Sequence, residues 1–170
     1  LGDVYKRQVY KMDYNEVLDY HISKKADITV VCRDMGPEED DVCRFGIVRM
    51  NEDSRIVEFE EKPMVARSNT VSTGIYVIRR RALIEMLEKC AEEARWDFVT
   101  DILIRYKNLK RIYGYKMTGY WSNIATVESY YKTNMDFLKE DVRNICSAVN
   151  QRFILRSMIC RRQNIIPVPL

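Results

Sequence analysis

The 170 residues suffice for one domain or part of one, and a composition with 46% hydrophobic and 11% aromatic residues excludes an intrinsically disordered chain. The formal net charge of +3 depends on five arginines after Asp141, and the residues before them carry mixed charges, which argues against a nucleic-acid-binding protein. The chain has no long apolar run, no visible secretory signal and no Cys-x-x-Cys pair among its five cysteines, so we predict a cytoplasmic protein with reduced thiols and no membrane span.

The predicted elements alternate between helices and strands. In chain order, apolar spacing predicts a helix beginning near residue 14, a strand over 26–33, a hairpin of strands 45–50 and 55–60, a strand over 73–78, helices over 80–93 and 97–106, a strand over 111–117 and a last helix capped by Thr126. Asp13 and Glu16 have the spacing of a capping box for the first helix, and His21 is interpreted as a residue on its face. This order predicts an α/β protein with mixed strand directions.

The first candidate site is the end of the strand that reads Phe59-Glu60-Glu61-Lys62-Pro63. Proline cannot continue the strand, so a lysine and two carboxylates are expected at the edge of the sheet, where open α/β sheets bind ligands. Lys62 offers a point charge for a phosphate, and Glu61 can accept hydrogen bonds from sugar hydroxyls. The alternative is a solvated charge cluster with no ligand.

The second candidate is the segment from Ser72 to Gly74, where small hydroxyl residues and a glycine would let a ligand approach the backbone. The alternative is an ordinary turn that leads into a strand.

The third candidate is the loop Gly119-Tyr120-Trp121-Ser122-Asn123. Its aromatic pair followed by a polar pair is typical of a sugar- or metal-binding loop, although Asn123 lacks the negative charge that a hard divalent cation prefers. The alternative is that the aromatic residues belong to the core and that Ser122 or Asn123 caps the next helix.

Six short motifs in register resemble the sugar-nucleotide pyrophosphorylases, and above all the glucose-1-phosphate adenylyltransferases. They occur at residues 9–14, 44–46, 56–63, 72–76, 96–102 and 119–121. The resemblance covers about residues 9–143, which correspond to the second half of the family's catalytic domain. It implies a Rossmann-like nucleotidyltransferase fold with a mixed, mostly parallel sheet, followed in the family by a β-helix that is absent from these residues. Residues 1–8 are then interpreted as a non-native leader and 144–170 as an atypical tail.

The resemblance also implies roles for individual residues. Lys62 would hold the sugar phosphate and Glu61 the glucose hydroxyls, while Ser72 and Gly74 would line the sugar side of the pocket. The remaining substrate-binding positions would be Asp97, Tyr120 and Trp121. In the family, ATP and glucose 1-phosphate give ADP-glucose and pyrophosphate with magnesium, as the first committed step of bacterial glycogen synthesis.

The chain departs from the catalytic members of the family at one chemically important position. Asn123 occupies the place of the metal-binding aspartate, and a neutral amide is a poorer magnesium ligand than a carboxylate. The surrounding string resembles the regulatory-type subunit of Gram-positive bacteria, which pairs with a catalytic subunit in a hetero-tetramer. We therefore expect a fragment of a regulatory-type subunit that binds sugar phosphate, modulates its catalytic partner and does not catalyse by itself. The alternative is an active nucleotidyltransferase for glucose 1-phosphate or mannose 1-phosphate.

Overall fold

The computed structural model of the chain describes residues 8–36 and 42–147. Of the predicted leader over 1–8 and the predicted tail over 144–170, only Gln8 and residues 144–147 fall within the described residues. The chain divides into two compact units, and each is described by itself. The first unit is Met12–Thr118, and the second is formed by the segments on either side of it.

The elements follow one another in the predicted alternation. In chain order they are β1 (Gln8–Tyr10), α1 (Tyr14–Ser23), β2 (Ile28–Asp34), a 3-10 turn (Val42–Arg44), β3 (Gly46–Met50), β4 (Ile56–Glu61), β5 (Thr70–Ile78), α2 (Arg80–Glu92), a π-helical segment (Val99–Ile104), β6 (Ile112–Lys116), β7 (Trp121–Asn123), α3 (Val127–Asp136) and α4 (Glu140–Ser147). The predicted hairpin of β3 and β4 is confirmed. The helix predicted over 97–106 is wound as a π-helix in its middle.

The first unit is built on a five-stranded sheet with the strand order β4-β3-β5-β2-β6. Of its four pairings, only that of β2 with β6 is parallel, so the expectation of a mostly parallel sheet is wrong. The reason is connectivity: a parallel neighbour requires a long crossover, such as the one through α2 and the π-helical segment that precedes β6. Among the described residues between β2 and β5, no helix is longer than a single turn, and the neighbouring strands from β2 to β5 pair antiparallel.

The core of the first unit lies between one face of this sheet and the helices that follow β5. Strand β2 is buried on both faces over its first five residues, as its unbroken apolar run predicts. The buried face of α2 is the row Ala82, Met86 and Cys90, whereas Ile84 and Leu87 are exposed. The apolar spacing over 80–93 predicts that Leu83, Ile84, Leu87 and Ala91 form the buried face of this helix. This prediction is wrong, because the row that packs against the sheet begins one residue earlier, at Ala82.

Side chains cap the N-terminal ends of α1 and α3. Asp13 caps α1 through its carboxylate, which accepts a hydrogen bond from the backbone N–H of Asn15 at 2.8 Å. Glu16 does not complete the predicted capping box, because its carboxylate instead accepts a hydrogen bond from the Tyr115 hydroxyl at 3.0 Å. Thr126 caps α3 as predicted, in a reciprocal arrangement with Ser129.

The second unit pairs β1 with β7 as a two-stranded antiparallel ribbon, with Tyr10 opposite Trp121. Within the described ranges, none of the helices has both the length and the apolar character needed to cross a membrane.

Gly114 in β6 lies where the core has no room for a larger side chain. A Cβ at this position would overlap the Met50 sulfur and lie 3.3 Å from the Cys32 sulfur. We expect Gly114→Ala to lower the free energy of unfolding by about 1–3 kcal/mol, because the core must expand to admit the methyl group. Urea unfolding would measure this. Asn108→Ala, at an exposed turn, should change stability by less than about 0.5 kcal/mol, and equal losses in both variants would contradict the prediction.

His21, the single histidine of the chain, predicts a pH dependence of stability. Its Nδ1 lies 2.8 Å from the Thr29 hydroxyl, and burial, together with the positive charge of Arg79, lowers the pKa of His21 below its ordinary value of 6.5, against the opposing effect of Asp27. The neutral imidazole therefore stabilises the fold fully above pH 6.5, and this contribution is lost as the pH falls through the lowered pKa.

The expected result is a lower urea midpoint at about pH 5.5 than at about pH 7.5, with a smaller difference in His21→Gln, which has no group that takes up this proton. An identical pH dependence in the two proteins would show that His21 is not responsible.

Candidate functional site

Three strands of the first unit bring predicted site residues into one row. Glu61 at the end of β4 pairs with Gly46 at the start of β3. Because Ile47 pairs with Val71 in the antiparallel pair of β3 and β5, the next position places Gly46 beside Ser72. Residues in register across neighbouring strands point to the same face of a sheet. We call this set the Glu61–Gly46–Ser72 row.

Glu61 and Lys62 form the outer end of the site. The Lys62 backbone N–H donates to the carbonyl of Phe45 at 3.2 Å, and Lys62 adopts a left-handed backbone conformation with φ of 46°. This turn directs the chain away from the sheet immediately before Pro63. The Lys62 ammonium lies 3.8 Å from the Glu61 carboxylate, and its side chain is 67% exposed. A cation in this position is accessible to a phosphate.

Ser72 and Gly74 lie within β5 and not in a turn before it, so the alternative interpretation of this segment is wrong. The register between β2 and β5 shifts here, and Gly74 has a φ of 71°, a conformation that side-chain-bearing residues rarely adopt. The Gly74 N–H donates to the Ser72 hydroxyl at 3.2 Å, and the Thr73 hydroxyl donates to the carbonyl of Val31 at 2.9 Å. These bonds hold the bulge in place and fix the Ser72 side chain.

Tyr76 completes this side of the site, although it was not among the predicted residues. Burial raises the pKa of Tyr76; a hydrogen bond with Ser72 opposes this increase, and the negative charge of Glu61 adds to it. Its ring lies 5.1 Å from that of Phe98, measured between centroids. The signal in the sequence was the period of two along β5, which places Tyr76 on the same face as Ser72 and Gly74.

Asp97 approaches the same site from the start of the helical segment. Its carboxylate accepts a hydrogen bond from the Thr100 N–H at 2.6 Å, and its own N–H donates to the buried Asp101 carboxylate at 3.0 Å. The Thr100 N–H holds the pKa of Asp97 below its ordinary range, and the positive charge of Lys62 contributes to this shift. The ring of the next residue, Phe98, packs on Tyr76, so Asp97 lies near the part of the site that β5 contributes.

The candidate site in the first unit therefore combines the exposed ammonium of Lys62 with two carboxylates and two hydroxyl groups. These belong to Glu61, Asp97, Ser72 and Tyr76. Such a set can hold a phosphate through Lys62, and Glu61 and Asp97 can accept hydrogen bonds from a polyhydroxylated ring. A separate hollow of about 90 Å³ lies beside Asp97, with Leu87, Cys90 and Phe98 in its apolar wall. Because ligand pockets usually measure about 300–1,000 Å³, this hollow is too small for a sugar nucleotide.

The three predicted residues of the second unit have different surroundings. The Tyr120 hydroxyl donates to the Asp136 carboxylate at 3.1 Å, and its ring packs edge-on against Phe137. Trp121 is buried in β7. Asn123 ends β7 opposite Gln8 and is half-buried. Neither Ser122 nor Asn123 caps α3, because Thr126 does so.

Magnesium finds no complete ligand set in the part of the chain that the structure describes. No group of three or more carboxylate, imidazole or thiolate side chains comes together among these residues. Asn123 offers one neutral amide oxygen, whereas magnesium is usually held by one or two carboxylates together with phosphate oxygens. The described residues therefore do not fit a magnesium site.

The family described as "Nucleotidyl transferase" matches residues 6–140. Glucose-1-phosphate adenylyltransferase of Bacillus subtilis is 42% identical over 136 residues, which are 78% of this chain and 35% of the relative. The protein of that name from Pseudothermotoga lettingae is 43% identical over 134 residues, 77% of this chain and 31% of the relative. The chain thus spans about a third of the length of these curated relatives.

Among solved structures, a putative glucose-1-phosphate thymidylyltransferase from Bacillus anthracis matches with a TM-score of 0.60 at 22% identity. The match covers 76% of this chain and 50% of that one, and it shows the α/β nucleotidyltransferase-like fold. The family match covers the whole of the first unit and part of the second. This chain belongs to the nucleotidyl transferase family, and within it is related to the glucose-1-phosphate adenylyltransferases.

Proposed function

We propose that this chain binds a sugar 1-phosphate, and that glucose 1-phosphate is its ligand. The observation that carries this proposal is the row that places Glu61 beside Ser72, with Lys62 next to Glu61 and with Asp97 linked to the same strand through the contact of Phe98 with Tyr76. Identity of 42% with glucose-1-phosphate adenylyltransferases supports the choice of glucose 1-phosphate.

The charges in this site suit the two parts of such a ligand. The Lys62 ammonium would pair with the phosphate, because its side chain is exposed and its contact with Glu61 is long at 3.8 Å. Glu61 and Asp97 would accept hydrogen bonds from the sugar hydroxyls, and Ser72 with Gly74 would line the sugar side. Tyr120 and Trp121 remain predicted substrate-binding residues, with the Tyr120 hydroxyl bonded to Asp136 in this structure.

We further propose a regulatory role in bacterial glycogen synthesis, in which the chain modulates a catalytic adenylyltransferase subunit within a hetero-oligomer. This proposal is supported by the amide of Asn123 at the place of an acidic metal ligand. Adenylyl transfer requires a metal ion to neutralise charge on the phosphates, and an amide lowers affinity for that ion. Binding of ATP or ADP-glucose is part of the same proposal.

A second candidate function is that the chain itself catalyses the nucleotidyl transfer of its family, with glucose 1-phosphate or mannose 1-phosphate as the sugar substrate. The observation in its favour is that the relatives at 42–43% identity bear the name of the enzyme itself. The two candidates make different predictions for position 123.

Substitution of Lys62 tests the binding site. Lys62→Gln should weaken glucose 1-phosphate binding about tenfold or more, because it removes a charge-assisted contact worth about 1.5–3 kcal/mol. Isothermal titration calorimetry would measure the affinity. The matched control is Lys89→Gln, which removes an exposed lysine paired with Glu85 on α2. Equal affinities of Lys62→Gln and the wild type would exclude Lys62 as the phosphate ligand.

Pyrophosphorolysis of ADP-glucose tests the regulatory role. The chain alone should show no activity, and mixing it with the Bacillus subtilis adenylyltransferase should change that enzyme's rate or its response to effectors. Asn123→Asp should raise activity or magnesium affinity, because it supplies the carboxylate that magnesium prefers. Asn108→Asp adds the same charge at an exposed turn and serves as the control.

Activity of the wild-type chain alone at a rate comparable with the Bacillus subtilis enzyme would contradict the regulatory role and support the second candidate. Equal gains in Asn123→Asp and Asn108→Asp would show that position 123 is not a metal position.

A further inference from the structure

Gly46 occupies the centre of the Glu61–Gly46–Ser72 row, between two residues of the proposed sugar-phosphate site. A Cβ at this position would lie 2.9 Å from two carbon atoms of the Phe59 ring and 3.0 Å from the Oε2 atom of Glu61. All three distances are shorter than side chains normally tolerate, so the Phe59 ring or the Glu61 carboxylate would have to move.

The backbone does not explain the glycine. Among the described residues, Gly74 is the glycine with a positive φ, and Gly46 has a conformation that other residues adopt without strain. What Gly46 supplies is therefore space above β3, and the groups that use this space are one aromatic ring and one carboxylate.

Gly114 provides an internal comparison. It is also a tightly packed glycine, but a Cβ there would meet the sulfur atoms of Met50 and Cys32, which belong to the core. Gly46 differs because one of its close neighbours is a charged group that reaches the surface, with a side chain 34% exposed. Close packing at Gly46 thus extends from the core to the proposed binding site.

We infer that Gly46 is a positioning residue that holds the Glu61 carboxylate in the row and thereby determines selectivity for a sugar phosphate over a simple phosphate. Without a side chain at position 46, the carboxylate can lie against β3, with the Lys62 ammonium 3.8 Å away on one side and Ser72 next along the row. A methyl group at Gly46 would push Oε2 outward. The inference rests on the proposed function, in which Glu61 accepts hydrogen bonds from the sugar and Lys62 holds the phosphate.

Binding of two ligands to the full chain tests the inference. Gly46→Ala should weaken glucose 1-phosphate binding about tenfold, because Glu61 loses its alignment, and should change inorganic phosphate binding by less than about twofold, because Lys62 is unaltered. In a Glu61→Ala background, Gly46→Ala should have no further effect on glucose 1-phosphate binding, since the carboxylate that it displaces is gone.

Two further variants separate positioning from packing. Gly114→Ala should lower stability and leave the ratio of the two affinities unchanged, because its neighbours are apolar. Gly46→Ala combined with Phe59→Leu removes the clash with the ring and keeps the clash with the carboxylate, so it should fold and still bind glucose 1-phosphate weakly. Circular dichroism and urea unfolding would confirm that each variant is folded.

Three results would overturn the inference. One is an unchanged affinity ratio in both Gly46 variants, and another is the same tenfold loss in the Glu61→Ala background, which would mean that Gly46 acts through packing alone. The third is a wild-type chain that binds phosphate but not glucose 1-phosphate, which removes the proposed function together with the inference. In the first two results the wild type still binds the sugar phosphate, so they reject the inference alone.

Discussion

The position of β5 in the middle of the five-stranded sheet is the constraint on which the rest of the first unit depends. This strand pairs with β2 on one side and with β3 on the other, and so joins the hairpin of β3 and β4 to the parallel pair of β2 and β6. Its beginning is fixed by the Thr70 hydroxyl, which donates to the Asp34 carboxylate at 2.5 Å. Because β5 pairs with β3, its Ser72 lies in the same row as Glu61 of the hairpin.

The bulge at Gly74 shapes the part of the candidate site that β5 contributes. An ordinary antiparallel strand would present Ser72 and Tyr76 as successive members of a flat surface, whereas the bulge bends β5 and bonds Ser72 to the Gly74 N–H. The same face then receives the hairpin end with Glu61 and, through the contact of Tyr76 with Phe98, the segment that carries Asp97. Because glycine adopts a positive φ without strain, the bulge is compatible with sheet pairing on both sides of β5.

Features that depend on near neighbours in the chain could be predicted from the sequence, whereas the pairing of distant strands could not. The apolar run of β2, the turn of the hairpin and the strand end at Lys62 all depend on near neighbours in the chain, and they were predicted. The strand directions depend on which distant strands pair, so a mostly parallel sheet was wrongly expected. Tyr76 and Gly46 were missed for the same reason, because their roles come from contacts with Phe98 and Glu61 across strands. The predicted roles of the site residues themselves remain predictions.

Sugar-phosphate binding and adenylyl transfer place different demands on this chain. Binding needs one cation, a few acceptors and a rigid sheet to align them, and all of these lie within the first unit. Transfer also needs a metal ion between phosphates, and the described residues bring no set of acidic ligands together for it. Under the proposed function, an amide at position 123 would weaken the second property and leave the first intact. A chain that keeps the ligand site and loses the metal site can report sugar-phosphate levels without consuming them, and this is the property that the proposed regulatory role requires.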